Sequence, residues 1–338
     1  MNTRNIAIIA HVDHGKTTLV DCLLRQSGQF HHNEKVIDRV MDSNALEKER
    51  GITILSKCTS IDWKDIRINI VDTPGHADFG GEVERILNMV DGVMILVDAA
   101  EGPMPQTKFV LTKALKQNLN PIVLINKVDR SDQRATEVLN EIFDLFIALD
   151  ANDDQLDFPV LYSSAKNGWA SNDPDTKGKD MEVLLEKIVD HIPPPKADPS
   201  GPLKMLVTSL ERDPYLGRIL TGRINSGFIQ TNQKAKSIDR TGKLVEKTRI
   251  TKLLSFRGLE RTPIQEAFAG DIIAVAGFEL ATVSNTISNE NSNEPLDSNP
   301  VDPPTLVMTF SINDSPLSGT EGSKITSREI WDRLKQEA

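Results

Sequence analysis

Short apolar runs alternate with amphipathic segments over the first half of the chain. The runs are rich in Val and Ile, and they read NIAIIA (5–10), IRINIV (66–71), VMILV (93–97), PIVLI (121–125) and PVLY (159–162). Runs of this length and composition are typical of strands buried on both faces of a parallel sheet. After IRINIV, apolar residues recur at positions 83, 86, 87 and 90, which is the spacing of one helix face. The pattern predicts an α/β domain with a mostly parallel, doubly wound sheet.

A hairpin is predicted at one edge of this sheet. The segment CTSIDW (58–63) is separated from the run at 66–71 by a short polar turn. Two strands joined so closely pair in antiparallel fashion. We therefore expect this hairpin to supply the one antiparallel edge of an otherwise parallel sheet.

The proline-rich run HIPPPKADPSG (191–201) ends the α/β pattern. Consecutive prolines lack amide donors and favour extended backbone, so we place a domain boundary there and assign residues 1–195 to the first domain. Residues 202–283 show short alternating segments separated by Gly-containing turns, with no long helical pattern. They predict a small β-barrel.

The last part of the chain has a different composition. Residues 284–304 are dominated by Asn, Ser, Asp, Glu and Pro, which predicts a linker or long exposed loop. The segment TLVMTFSIN (305–313) predicts a strand, and ITSREIWDRLKQEA (325–338) predicts a helix with a Thr or Ser cap. One strand and one helix cannot form a core alone, so residues 305–338 are expected to be either an addition to the barrel or the first part of an incomplete third domain.

Composition and charge narrow the possible functions. The chain has 338 residues, and no apolar run approaches the about 18 residues of a membrane span, so we expect no membrane partner and a cytoplasmic location. We also expect a monomer. The two cysteines have no zinc-type spacing and fit a reducing compartment. The formal net charge of −10 argues against binding DNA or coating nucleic acid, because phosphate affinity needs a basic face. An RNA partner would require a local basic patch.

The segment AHVDHGKT (10–17) lies between a predicted strand and a predicted helix. It matches the P-loop pattern except that Ala10 replaces the first Gly, and a turn without a ligand is the alternative for this motif taken alone. Backbone N–H groups and the positive helix N-terminus favour a phosphate there, while Lys16 would reach the β- and γ-phosphates and the Thr17 hydroxyl would bind Mg²⁺. The ring of His14 is expected to fill space rather than to bind a ligand. The residues predicted to contact a nucleotide are Asp13, His14, Gly15, Lys16, Thr17 and Thr18.

Further motifs follow other predicted strands, at the edge where open α/β sheets bind ligands. DTPGH (72–76) follows IRINIV, so Asp72 could hold Mg²⁺ through a water and the Gly75 N–H could contact a γ-phosphate. The P-loop, DTPGH and the two motifs described next follow one another in the order expected for a nucleotide site. A chance match to the P-loop pattern is therefore very improbable.

Two motifs at this edge suit a guanine base. In NKVD, formed by Asn126, Lys127, Val128 and Asp129, the Asp129 carboxylate can accept hydrogen bonds from the ring N1–H and the exocyclic amine of guanine. Adenine would leave that carboxylate unpaired, which favours GTP over ATP and disfavours a P-loop ATPase or kinase. Ser164, Ala165 and Lys166 would present backbone N–H groups to guanine O6.

A charged, weakly periodic segment (31–54) separates the P-loop from Asp72. Such a segment is usually a solvated face. Here it ends in RGIT, and Thr53 could join the Mg²⁺ shell when a γ-phosphate is bound. The segment is therefore predicted to be a nucleotide-dependent switch.

Several longer stretches identify a family. AHVDHGKTTLVD, RVMDSNALEKERGITI, DTPGHADFGGEVERILNMVDG, EGPMPQTKFVL and VDPPTLVMTFSINDSPLSG resemble the BipA/TypA family of ribosome-associated translational GTPases, and the resemblance covers essentially the whole chain. It implies a P-loop GTPase domain that binds GTP and Mg²⁺. It also implies a barrel similar to the second domain of elongation factor Tu and the start of a ferredoxin-like α+β third domain.

The resemblance also implies residue roles and a partner. His76 would position the water that attacks the γ-phosphate, and Val12 and Ile52 would form an apolar gate beside it. The implied function is GTP hydrolysis linked to the ribosome, in ribosome assembly and stress adaptation. Family members are longer and carry a basic C-terminal domain that contacts the ribosome, so we expect weakened ribosome binding here. The alternative is a nucleotide-binding module without productive ribosome-stimulated turnover.

Overall fold

The computed structural model describes residues 2–27, 56–74, 80–258, 260–298, 306–320 and 325–337. Its N-terminal part is built on a seven-stranded sheet in the order β2-β3-β1-β4-β5-β6-β7. The strands are β1 (Asn2–Ala10), β2 (Lys57–Trp63), β3 (Ile66–Asp72), β4 (Gly92–Asp98), β5 (Asn120–Asn126), β6 (Val160–Ser164) and β7 (Trp169–Ser171). Apart from Pro159, each apolar run of the sequence lies in one of these strands, and the predicted parallel sheet is confirmed.

Both edges of the sheet are antiparallel. The predicted hairpin forms, with β2 paired to β3. At the other edge β7 pairs in antiparallel fashion with β6, so the prediction of a single antiparallel edge was wrong. Strand β7 is only three residues long and carries no alternation that a sequence pattern could reveal.

Helices cover both faces of the sheet. They are α1 (Lys16–Gln26), α2 (Gly80–Leu87), α3 (Pro105–Lys116), α4 (Ala135–Ala148), α5 (Asp153–Leu156) and α6 (Glu182–His191). Alternate residues of β1 face opposite cores, with Ile6 and Ile8 packed with α1 and α6, and Ala7 and Ile9 packed with α2, α3 and α4. This alternation confirms the doubly wound arrangement. No helix in the described part of the chain is long and apolar enough to cross a bilayer.

The residues beyond the proline-rich run form antiparallel sheets. The strands are β8 (Lys204–Asp213), β9 (Gly217–Ser226), β10 (Phe228–Gln230), β11 (Lys234–Ile238), β12 (Leu244–Arg249), β13 (Lys252–Arg257), β14 (Glu260–Ile264), β15 (Glu266–Phe268), β16 (Ile272–Ala276) and β17 (Thr286–Ser288). Eight of them form one sheet in the order β12-β11-β17-β8-β9-β16-β13-β14, and β10 pairs with β15. This all-β unit agrees with the predicted barrel.

Strand β17 lies inside the range predicted as a linker. It pairs with both β8 and β11, and Ile287 is fully buried in the barrel core. The barrel sheet therefore extends past residue 283. Composition misled the prediction because the polar residues on either side outnumber the short apolar centre of this strand.

The segment predicted as a strand at 305–313 differs from the structure. Residues 306–314 have no strand assignment and are exposed, including Leu306, Val307 and Phe310. The alternating pattern needs a neighbouring strand to satisfy its backbone, and none in the described part of the chain pairs with it. The predicted final helix does form, as α7 (Ser327–Glu337), and its N-terminus is capped by Thr326 and Glu329.

The α/β domain and the barrel make direct hydrogen bonds. Gly258, which follows β13, donates its N–H to the Ser60 carbonyl of β2 at 3.0 Å, and the Thr59 hydroxyl donates to the Gly258 carbonyl. The Ser60 hydroxyl donates to the Phe256 carbonyl. These bonds place the outer side of the edge strand β2 against the barrel, so it is not a free sheet edge.

Candidate nucleotide-binding site

The predicted site residues lie where the parallel strands end. Strands β1, β3, β5 and β6 run in the same direction, so their carboxyl ends meet at one edge of the sheet. The P-loop follows β1, Asp72 ends β3, Asn126 ends β5 and Ser164 ends β6. This is the edge at which ligands bind in open α/β sheets.

The P-loop turns sharply into α1. Gly15 has φ 97°, in the left-handed region, and a Cβ atom there would lie 2.5 Å from Asn126 Nδ2. Only glycine fits both constraints at low cost. Asp13, also left-handed at φ 65°, and Thr18 are exposed, and Thr17 is half-buried in the first turn of α1. The N-terminus of α1 therefore follows directly on the P-loop, and its backbone N–H groups suit an anion.

Lys16 and Asp72 lie in contact. Lys16 Nζ is 2.8 Å from Asp72 Oδ1, and the Asp72 side chain is only 1% exposed. Lys16 also donates a hydrogen bond to the Thr73 carbonyl, and the Thr73 hydroxyl donates to Ile8 O at 2.7 Å. The structure thus brings together the lysine predicted for phosphate binding and the carboxylate predicted for the Mg²⁺ shell.

The donor set around this contact fits Mg²⁺. No cluster of three or more His, Cys, Asp or Glu side chains able to hold a metal ion exists in the described residue ranges. Mg²⁺ usually takes one or two protein oxygens together with phosphate oxygens and water, so a dedicated cluster is not needed. The Thr17 hydroxyl and the Asp72 carboxylate are the described groups that would serve it.

The His14 side chain turns away from the opening. It is fully buried, and its Nδ1 lies 3.3 Å from the Asp98 amide nitrogen and 3.4 Å from the Leu96 carbonyl oxygen. Nε2 lies 3.3 Å from Glu101 Oε2. Burial lowers the pKa of His14, so the ring is neutral. His14 therefore fills space against the sheet, and its predicted contribution to nucleotide binding rests on its backbone.

Asn126 joins the separate motifs. Its Nδ2 donates to the His14 carbonyl at 2.9 Å, and its Oδ1 accepts from the Ala165 N–H at 3.0 Å and from the Ser163 hydroxyl at 3.1 Å. The Ala165 N–H was expected to face guanine O6, but in this structure it is bonded to Asn126. Asn126 therefore fixes the P-loop, β5 and β6 relative to one another.

Sequence reasoning missed Asp98, which ends β4. The fully buried carboxylate lies 2.7 Å from Lys127 Nζ, and its other oxygen accepts from the Ala100 N–H at 2.7 Å. Burial alone would raise the pKa of Asp98, but these hydrogen bonds outweigh burial and hold the pKa below its ordinary value. The signal was available, because an Asp at the end of an apolar run had already identified Asp72.

Asp129 and Lys166 are exposed at the open end of the site, and Val128 is buried behind them. Asp129 Oδ2 accepts a hydrogen bond at 3.0 Å from Asn167 Nδ2, a residue that sequence reasoning also missed. Val12, which was predicted to form part of an apolar gate, is half-buried. Gly75, His76, Ile52, Thr53 and the segment predicted to be a switch (31–54) lie outside the described residues.

Comparison with known proteins agrees with this geometry. Residues 1–194 match the elongation factor Tu GTP binding domain, and residues 217–288 match elongation factor Tu domain 2. The second match ends at the last residue of β17.

Three curated relatives are named large ribosomal subunit assembly factor BipA. The protein from Bacillus subtilis is 54% identical over 334 residues, which is 99% of this chain and 54% of that protein. Those from Synechocystis and Salmonella typhimurium are 53% and 54% identical, and the alignments cover 99% of this chain and 56% and 55% of theirs. The chain thus spans about half the length of these relatives. The predicted resemblance is confirmed as a similarity to the BipA proteins, and the chain belongs to the family of proteins that carry the elongation factor Tu GTP-binding domain.

Proposed function

We propose that the chain is a translational GTPase that binds GTP with Mg²⁺ and hydrolyses GTP to GDP and phosphate in a role linked to the ribosome. The observation that carries this proposal is the meeting of Lys16 with Asp72 at one end of an open edge whose other end presents Asp129. The first pair suits a Mg²⁺-bound triphosphate, and Asp129 suits guanine. The names of the relatives support the link to ribosome assembly.

The described residues are proposed to have three roles: phosphate binding, Mg²⁺ binding and positioning of the loops. Lys16 neutralises phosphate charge, and the α1 N-terminus supplies backbone N–H groups. Thr17 and Asp72 would hold Mg²⁺, which when bound neutralises charge that develops on the phosphate oxygens. Asn126 and Asp98 keep the P-loop and Lys127 in place. Because Asn126, Asp98 and Lys127 are already fixed by hydrogen bonds and an ion pair, this part of the site needs little reorganisation on binding.

Calorimetric titration with GTP and ATP tests nucleotide choice. We expect GTP to bind at least about a hundredfold more tightly, because adenine leaves the Asp129 carboxylate unpaired. Equal affinities would contradict a GTPase and favour a P-loop ATPase. Single-turnover hydrolysis with and without ribosomes then separates a GTPase from a nucleotide-binding module, since the module would show no turnover in either condition.

His76 is proposed to position the attacking water. We expect His76→Ala to leave GTP affinity within a few-fold and to lower ribosome-stimulated turnover by about a hundredfold, the usual range for a lost proton-transfer or water-orienting group. Single-turnover rates at saturating ribosome concentration provide the measurement, and His191→Ala, far along the chain at the end of α6, is a matched control. Equal stimulated rates in the His76→Ala and unmodified proteins would remove this role.

A further inference from the structure

Asn167 connects two loops at the base end of the site. One N–H of its side-chain amide donates to Asp129 Oδ2 at 3.0 Å, and the amide nitrogen also donates to the Ser164 hydroxyl oxygen at 2.8 Å. An ionised carboxylate only accepts hydrogen bonds, so the amide nitrogen must face it. Both donors of Asn167 are therefore used, one on the loop after β5 and one at the end of β6.

The backbone holds Asn167 in this position. Its N–H donates to the Ser164 carbonyl at 3.1 Å, and the Gly168 N–H donates to the same oxygen at 2.9 Å. Gly168 has φ 78°, which favours glycine. Its carbonyl accepts a hydrogen bond from Gln26 Nε2 at 2.7 Å, at the end of α1. The amide of Asn167 is thus fixed relative to the helix that carries the P-loop.

The Asp129 carboxylate has capacity for this bond and for a base at the same time. Its two oxygens offer about four lone-pair sites. Guanine would use one on each oxygen, through N1–H and the exocyclic amine, and Asn167 uses a further one on Oδ2. Within the described ranges of the chain, the hydrogen bond from Asn167 is the only one that reaches this exposed carboxylate.

We propose that Asn167 is a positioning residue for base recognition, which holds the Asp129 carboxylate in the orientation that accepts both donors of guanine. The proposal rests on the proposed GTP binding. An exposed aspartate otherwise samples several rotamers, and fixing it before the ligand arrives removes that entropic cost from binding.

Base discrimination tests this role. Inosine diphosphate lacks the exocyclic amine of GDP, so the ratio of the two affinities measures how well Asp129 reads that amine. We expect Asn167→Asp and Asn167→Ala to weaken GDP binding by about tenfold and to reduce the ratio of GDP to inosine diphosphate affinity, because a charged hydrogen bond is lost. Asn172→Asp, the same change at an exposed asparagine after β7, is expected to alter neither.

These measurements distinguish a positioning role of Asn167 from a general effect of the substitutions on the fold. If both Asn167 variants keep the GDP affinity and the ratio, or weaken GDP and inosine diphosphate by the same factor, the positioning role is overturned. Thermal melting of each variant shows whether the fold is retained. Failure of the unmodified protein to bind GDP would instead contradict the proposed function, so the two failures are distinguishable.

Discussion

An Asp129→Asn variant is expected to prefer xanthine nucleotides over guanine nucleotides. The carboxylate of Asp129 is expected to accept from two donors of guanine, whereas an asparagine side chain offers an acceptor oxygen on one side and an NH₂ donor group on the other. Those match the O2 and N1–H of xanthine. Because mismatched polar groups in the site stay unpaired, we expect the ratio of the GDP and XDP affinities to change by about 10⁴-fold.

The neighbouring side chain should assist this exchange. Asn167 Nδ2 lies 3.0 Å from Asp129 Oδ2. Since Asn167 offers a donor at this position, it favours the orientation in which the new amide turns its oxygen toward Asn167. The new nitrogen then faces the other side, where xanthine O2 can accept from it.

Competition titrations with GDP and XDP measure the exchange. Asp132→Asn is a suitable control, because Asp132 lies three residues along the chain, is 56% exposed and pairs with Arg130 on the surface. It loses the same charge without contacting the base end. If the Asp129→Asn protein still prefers GDP, a different group reads the base.

The ends of the parallel strands were predicted well because the signal for each strand end lies in neighbouring residues of the sequence. An apolar run marks a buried strand, and a polar motif at its end marks the ligand edge. Lys16, Asp72 and Asp129 were all found in this way. Their predicted roles follow from residue type and topology, both of which are readable without tertiary contacts.

The remaining features depend on residues that are distant in sequence. Strand β17 is a strand because β8 and β11 lie on either side of it. Residues 306–314 have a strand-like pattern but lack such neighbours among the described residues. The role of Asn167 depends on Asp129, 38 residues away. A local sequence pattern cannot show which distant residues will lie beside one another in the fold.

The contact between the two domains is the clearest example of such a long-range feature. Arg223 of β9 lies 2.9 Å from Asp91 Oδ1, just before β4, and the two side chains are 7% and 9% exposed. Asn5 donates to Asp91 Oδ2 at 3.2 Å and to the Gly270 carbonyl at 3.1 Å. Arg223→Met is expected to lower the free energy of unfolding by about 3–5 kcal/mol, because it leaves a buried carboxylate without its counter-ion.

This loss should depend on pH. Burial raises the pKa of Asp91, and the Arg223 guanidinium opposes that rise. Without Arg223 the pKa rises further, so the folded chain binds the proton more tightly than the unfolded chain does. The corresponding stability is present below the unfolded pKa and is lost as the pH rises through the folded value. We therefore expect Arg223→Met to be more destabilising at about pH 8 than at about pH 5.

Urea denaturation at both pH values measures the effect, and a double variant separates charge from packing. Adding Asp91→Leu to Arg223→Met removes the unpaired carboxylate and should recover most of the lost stability, since an apolar pair of similar volume can replace a buried ion pair. Lys64→Met breaks the exposed pair with Glu186 and should leave the urea midpoint nearly unchanged. An Arg223→Met protein as stable as the unmodified chain at both pH values would show that this ion pair does not hold the barrel against the α/β domain.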